Sequence, residues 1–270
     1  MADASGSGVP DSVFSNWQKR VPLVRGIASF VVLAIVWELC GRYILTNRLF
    51  FAPLSDVIWA GVALWNSGEL QKHIVVSFSE LFLGILIAIV VAVPFGILSG
   101  TSQKFRDYSD LMIAALYATP LVAIAPLLVL WLGIGPVSKA AVVFLTAFFP
   151  IAINTTAGIR ATEAVLIEVS YSFGGTRFQT ISKVMIPSAL PFVLTGMRLA
   201  IGRGIVGVVI GEIFGSQAGL GYLILIAGQS FDVPNLFVGV ITLAVAGVLL
   251  TFLAQIAERH VTRWRRVAID

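Results

Sequence analysis

Charge is scarce in this sequence of 270 residues: Asp, Glu, Lys and Arg make up 12% of it, about half the roughly 25% of a soluble domain. Disulfide chemistry within the chain is excluded, because the one cysteine, Cys40, lies in an apolar run where a thiol behaves as a small inert hydrophobe. The two histidines, His73 and His260, stand apart from any cluster with metal-ligand spacing, so no metal site is expected. A G-x-x-x-x-G-K-[ST] phosphate loop is missing. Gly133-Ile134-Gly135 is the nearest approach, and it lacks the following Gly-Lys. With no nucleophile–base constellation either, the chain is expected to be no enzyme and to hold no cofactor of its own.

What the sequence has is apolar surface. Hydrophobic residues reach 58%, and about 65% with glycine counted and tyrosine left out, against roughly 45–50% in a soluble domain. A soluble fold of this size cannot bury so much, so the expected class is an all-α integral membrane protein. A span needs about 20 apolar residues, and six stretches qualify: 27–45, 74–98, 111–132, 137–158, 189–213 and 236–256. Pro120 and Pro126 interrupt the third and predict a kinked or broken helix there. Lys19, Arg20 and Arg25 before the first run resemble a signal-peptide start. The run continues to Leu45 without a small-residue cleavage site, which predicts an uncleaved first span.

Orientation follows from the cations. With the N-terminus inside, twelve fall on inner segments: Lys19, Arg20, Arg25, Lys104, Arg106, Arg160, Arg177, Lys183, Arg259, Arg263, Arg265 and Arg266. Four fall outside: Arg42, Arg48, Lys72 and Lys139. This is the positive-inside bias. Trp17, Trp37, Trp59, Trp65 and Trp131 lie near span ends as an aromatic belt would. The basic cluster Arg259–Arg266 around Trp264 reads as an anchor on anionic lipid, not as a nucleic-acid patch. The expected organisation is a cytoplasmic tail (1–26), a transmembrane domain (27–257) with one long inner loop (159–188), and a basic cytoplasmic tail (258–270).

That loop is patterned. After Thr162, read as an N-cap, Val165, Leu166, Val169 and Phe173 recur at helical spacing. Gly174-Gly175 then breaks the helix. A second short helix carries Phe178, Ile181 and Met185, and Pro187 is expected to end it before a new span starts at Ala189. Two readings stand on periodicity alone: an amphipathic pair lying on the lipid surface, or a rigid knob that fits a cytoplasmic partner.

Glu168-Val169-Ser170, three residues, Gly174, nine residues, then Val184-Met185-Ile186-Pro187 resembles the Glu-Ala-Ala loop of binding-protein-dependent ABC importer permeases. Glu168, Gly174 and Pro187 match in type and spacing, whereas Val169 and Ser170 depart from the two alanines. Three further runs, Ala125 to Gly135, Phe148 to Thr155 and Gly219 to Leu223, resemble the nitrate, sulfonate and taurine branch, and the similarity covers roughly residues 50 to 257. The resemblance implies a type I importer fold of six helices per chain. It implies a coupling helix between spans four and five that docks in a separate ATP-hydrolysing subunit. Glu168 would lie at the docking surface, Gly174 would form the bend, Pro187 would set the start of span five, and Val165, Leu166 and Phe173 would be apolar contacts. The implied partners are a second permease subunit (a homodimer or a heterodimer), two cytoplasmic ATPase subunits that bind ATP and Mg, an extracytoplasmic solute-binding protein and the bilayer of the bacterial inner membrane.

Span five carries Gly196, Ala200, Gly204, Gly207 and Gly211, small residues that let backbones approach. Packing within one subunit and a helix facing its symmetry mate along the solute route both fit. Arg203 and Glu212 lie in the same span, roughly 13 Å apart at 1.5 Å per residue. Each charge at that depth costs about 2.5–3.5 kcal/mol unless paired or wetted. Arg203 is a candidate contact for an anion in transit, with pairing to Glu38, Glu80 or a carbonyl as the alternative. Arg203, Glu212, Gly204, Gly207 and Gly211 are therefore the candidate translocation-path residues. Asn154, Thr155 and Thr156 are expected to bond backbone carbonyls, and Ser77, Ser79 and Glu80 are open to the same reading. A small anionic solute is expected, of sulfonate, taurine, nitrate or bicarbonate type. The alternatives are a thiamine-precursor pyrimidine or, in another class, an ion-coupled secondary transporter, which would show inverted repeats or an in-membrane carboxylate relay.

Overall fold

The computed structural model describes residues 25–261 except 27 and 46. Lys19, Arg20, Trp17, Arg263, Trp264, Arg265 and Arg266, with most of both expected tails, lie outside the described residues. The described chain is helical throughout: α1 (28–39), α2 (Leu54–Asn66), α3 (Glu69–Thr101), α4 (Gln103–Ala118), α5 (Leu121–Leu132), α6 (Pro136–Arg160), α7 (Ala164–Ser172), α8 (Arg177–Thr180), α9 (Ile186–Gly215), α10 (Leu220–Gln229) and α11 (Val233–Val261).

Among the described residues four helices are long and apolar enough to cross a membrane: α3, α6, the continuous rod Arg177–Gly215 and α11. The pair α4–α5, bent by 94°, adds a fifth if it is one span. The break falls at Thr119-Pro120, while Pro126 sits within α5 without breaking it. The sixth expected span, 27–45, is represented by α1 and a π-turn at Cys40–Ile44, with Phe30, Val32 and Leu33 exposed. The helices α2 and α10 are too short to span and fall outside the six stretches expected from hydropathy.

The centre of the molecule is α6 held between α3 and α9. Glycines set this closeness. A Cβ at Gly84 would lie 2.5 Å from Val143, one at Gly96 2.5 Å from Thr155, and one at Gly100 2.6 Å from Ile159. On the other flank, Gly196 abuts Asn154 and Pro150, and Gly207 abuts Thr146. Without hydrophobic driving force between helices in lipid, such backbone approach supplies the dispersion contacts that hold spans together. Ala88, Ala92, Ala147, Ile151 and Ala200 fill the middle of the three-helix core. By contrast α11 turns Val245, Val248, Leu249 and Phe252 outward, as a lipid-facing helix does.

Pro187 does not end a helix. The short helix after Gly175 runs through a π-turn, Ile181–Met185, straight into α9, whose first turn contains Pro187. The Ile186 amide bonds the Ile181 carbonyl across this wide turn, and the wider turn relieves the clash between a proline ring and the preceding carbonyl.

Candidate functional site

Two places carry chemistry: the projection on α7–α8 and a polar seam inside the bundle. In the projection the chain leaves α7 through a two-glycine cap. Gly174 has φ +76°, the left-handed region where a side chain is strained. Its amide bonds the Tyr171 carbonyl, and the Gly175 amide bonds the Ser170 carbonyl, each at 2.9 Å, the paired closure of a Schellman cap. Thr176 then caps α8 reciprocally with Gln179, and the Ser170 and Thr180 hydroxyls, 2.9 Å apart, tie α7 to the following helix. The N-cap of α7 is Glu163, one residue beyond the expected Thr162, and its side chain makes no capping bond.

No residue of α7 is buried. Val165, Leu166, Val169 and Phe173 are exposed, Phe173 to 89%, and Phe178 to 78%. Glu168 is exposed on the same helix. Leu166, Val169, Phe173, Gly174, Lys183 and Val184 line an open hollow between the two arms. The projection is anchored to the bundle, since Arg177 donates to the Thr101 carbonyl at the end of α3 (3.3 Å). The projection is thus a bent element with exposed apolar side chains, continuous with a membrane-crossing rod.

The polar seam joins α3, α6, α9 and the start of α10. Glu212 is fully buried. Ser77 donates to its Oε1 and the Gly221 amide to its Oε2, both at 2.5 Å. Ser77 Oγ in turn accepts from the Leu220 amide (2.8 Å), and His73 Nδ1 accepts from the Gly219 amide (2.9 Å). Three successive amides opening α10 thus find side-chain acceptors from α3 and α9, which satisfies donors a helix N-terminus leaves open. Glycine is required at 219, where φ is +122° and a Cβ would collide with the Glu212 carboxylate. One helical turn from Ser77, Glu80 meets Lys139 Nζ at 3.3 Å, both nearly inaccessible to solvent. Lys139 therefore is not an outer-surface cation: Gly211 makes room for its stem, and Glu80 compensates its charge. Asn154 and Thr156 bond the carbonyls of Pro150 and Ala152 as expected, whereas the buried Thr155 hydroxyl has no hydrogen-bond partner. No metal-holding group of His, Cys, Asp and Glu occurs among the described residues.

The family described as binding-protein-dependent transport system inner membrane component matches residues 92–267. The chain belongs to this family of ABC importer permeases. Over 92% of its length the permease is 34% identical to SsuC of Bacillus subtilis, named for aliphatic sulfonates transport, covering 90% of that chain. It is 29% identical to the taurine transport system permease TauC of Escherichia coli, with 92% of each chain covered. It is also 29% identical to the formylaminopyrimidine transport permease ThiX of Halalkalibacterium halodurans over 88% of this chain and 94% of that one. Its fold is that of the permease in the inward-facing MetNI methionine ABC transporter: TM-score 0.65 at 20% identity, covering 72% of this chain and 96% of that one. The relatives are permease components, and the apolar helices make this a multi-pass inner-membrane protein.

The path residues separate. Gly204, Gly207, Gly211 and Glu212 are buried within the permease against α3, α6 and the α10 start, so in the single chain they serve packing between its own helices. Arg203 alone of the five is exposed. Its partner is neither Glu38, Glu80 nor a carbonyl. It lies over the Tyr117 ring, guanidinium carbon 5.3 Å from the centroid, and donates to the Tyr117 hydroxyl at 2.8 Å. Glu38 instead takes Arg42 and Ser55. The roles of Tyr117, Ser77 and His73 were not legible in the sequence, because their partners lie 86, 135 and 146 residues away. The one available signal for Tyr117 was its place three residues before Pro120.

Proposed function

We propose that this permease is the membrane-spanning subunit of an ATP-driven importer. It works as a homodimer with two cytoplasmic ATPase subunits and an extracytoplasmic binding protein, and it carries a small anion of the sulfonate, taurine, nitrate or bicarbonate type. Each chain contributes six spans, with α1 as the first and the α4–α5 pair as the third, and both termini in the cytoplasm. ATP and Mg are held by the partner, and nothing in this chain is asked to bind them.

The observation that carries the reading is the uncovered apolar projection, with Phe173 and Phe178 outward around the left-handed Gly174 and continuous with α9 through the π-turn. ATP binding draws two such projections together with the closing ATPase pair, which favours the outward-open packing, and hydrolysis withdraws that bias. A near-complete switch requires a differential affinity on the order of 5 kcal/mol between the two packings. The similarity to SsuC and TauC supports a sulfonate-class solute, and the similarity to ThiX supports the second reading, a neutral pyrimidine. In proteoliposomes holding the full complex, Glu168→Ala and Gly174→Ala should each lower solute moved per ATP by about tenfold with insertion unchanged. Uptake at the wild-type level in both variants contradicts the docking role.

A further inference from the structure

Arg42, Lys139, Arg198 and Arg203 are four of the cations carried by the helices of the described chain. Three are matched by carboxylates, Arg42 with Glu38, Lys139 with Glu80 at 3.3 Å and Arg198 with Glu258 at 3.2 Å. The remaining in-span carboxylate, Glu212, is occupied by Ser77 and Gly221. Arg203 is left with a phenol, and it is exposed, on a face of α9 with Leu199, Gly202 and Val206. It stands twelve residues before Gly215, roughly 18 Å from the nearer end of α9 at 1.5 Å per residue. That is beyond the reach of a side chain snorkelling to the membrane surface. An unmatched guanidinium there faces water or a ligand, not lipid.

We infer that Arg203, held by Tyr117, is the solute-anion receptor of the permease, a selective station for a small oxyanion between two copies of α9. The inference rests on the reading of the chain as one half of an importer dimer, and it names the atom group that meets the solute. The Tyr117 ring supports one face of the guanidinium and its hydroxyl takes one N–H. Arg carries five donors in a rigid fork, so the others stay free for the paired oxygens of a sulfonate, nitrate or bicarbonate. A two-fold dimer that presents this face to itself brings two like charges toward the axis. Their repulsion is relieved when an anion sits between them, so the empty route resists cations and a bound monoanion offsets half of the paired charge. Tyr117 is a positioning residue: it fixes the fork and adds no charge.

The test is uptake of radiolabelled ethanesulfonate by proteoliposomes holding permease, ATPase and binding protein, scored as solute moved per ATP. Arg203→Gln should lower the ratio at least tenfold while binding-protein-stimulated ATP hydrolysis stays within about twofold. Arg203→Lys, which keeps charge but loses the fork, should recover part of it. Tyr117→Phe, which keeps the ring and loses the acceptor, should cost about threefold, and Tyr117→Leu, which loses both, about tenfold. A wild-type ratio in Arg203→Gln overturns the anion station. So does parallel loss of complex assembly and uptake across Arg203→Gln, Arg203→Lys and Tyr117→Phe, which would make the pair structural. ATP-driven uptake by the wild type of a formylaminopyrimidine but not of ethanesulfonate also overturns it, while leaving the importer reading intact. No ATP-driven uptake of either by the wild type sinks the importer reading itself.

Discussion

In the α3–α6–α9 bundle, backbones meet across Gly84, Gly96, Gly196 and Gly207, and a buried ion pair and a buried carboxylate are satisfied inside. In the projection of α7 and α8 nothing on α7 is buried, the apolar side chains point outward, and the caps are local, made by Gly174, Gly175, Thr176 and Gln179. One region spends its small residues on mutual approach, and the other spends a glycine on a bend. Under the proposed function the difference predicts two duties. Substitutions in the bundle should act on folding, and substitutions in the projection should act on coupling with little change in stability.

The sharpest break of that contrast is Lys139→Met, which leaves Glu80 buried without its ion-pair partner. It should destabilise the purified permease by about 3–5 kcal/mol. The Lys139→Met, Glu80→Leu double variant should recover most of this, and thermal unfolding in detergent reads both. Equal loss in single and double variants would mean the pair is not what is being measured. Next is Gly96→Val, whose new atoms meet Thr155 and the Ala152 carbonyl. Overpacking of this kind costs roughly 1–3 kcal/mol, and it should appear as a lowered midpoint with ATP coupling retained in the folded fraction. The smallest stability effect belongs to Phe173→Ala, within about 0.5 kcal/mol because the ring is 89% exposed, yet solute moved per ATP should fall severalfold. A large stability loss there would erase the distinction between the two regions.

Hydropathy read the bundle well, because α3, α6, α9 and α11 each carry apolar runs long enough to register. The Pro120 break was legible because a proline lacks the amide a helix needs and strains the residue before it. Gly174 was legible for the complementary reason. What escaped was whatever depends on distant partners. Lys139 counts as an outer cation until Glu80 is placed beside it, and α10 is too short to register until His73, Ser77 and Glu212 are seen capping it. Pro187 was expected to stop a helix, and the π-turn before it lets the rod continue. The small-residue series on α9 left two readings open, and the contacts of Gly204, Gly207 and Gly211 place it against neighbouring helices of the same chain.

The most direct test is solute flux into proteoliposomes with the ATPase subunit present or omitted, under ATP or under an imposed proton or sodium gradient. Flux is expected only when ATPase and ATP are both supplied. Flux through the permease alone, driven by an ion gradient, would contradict the account.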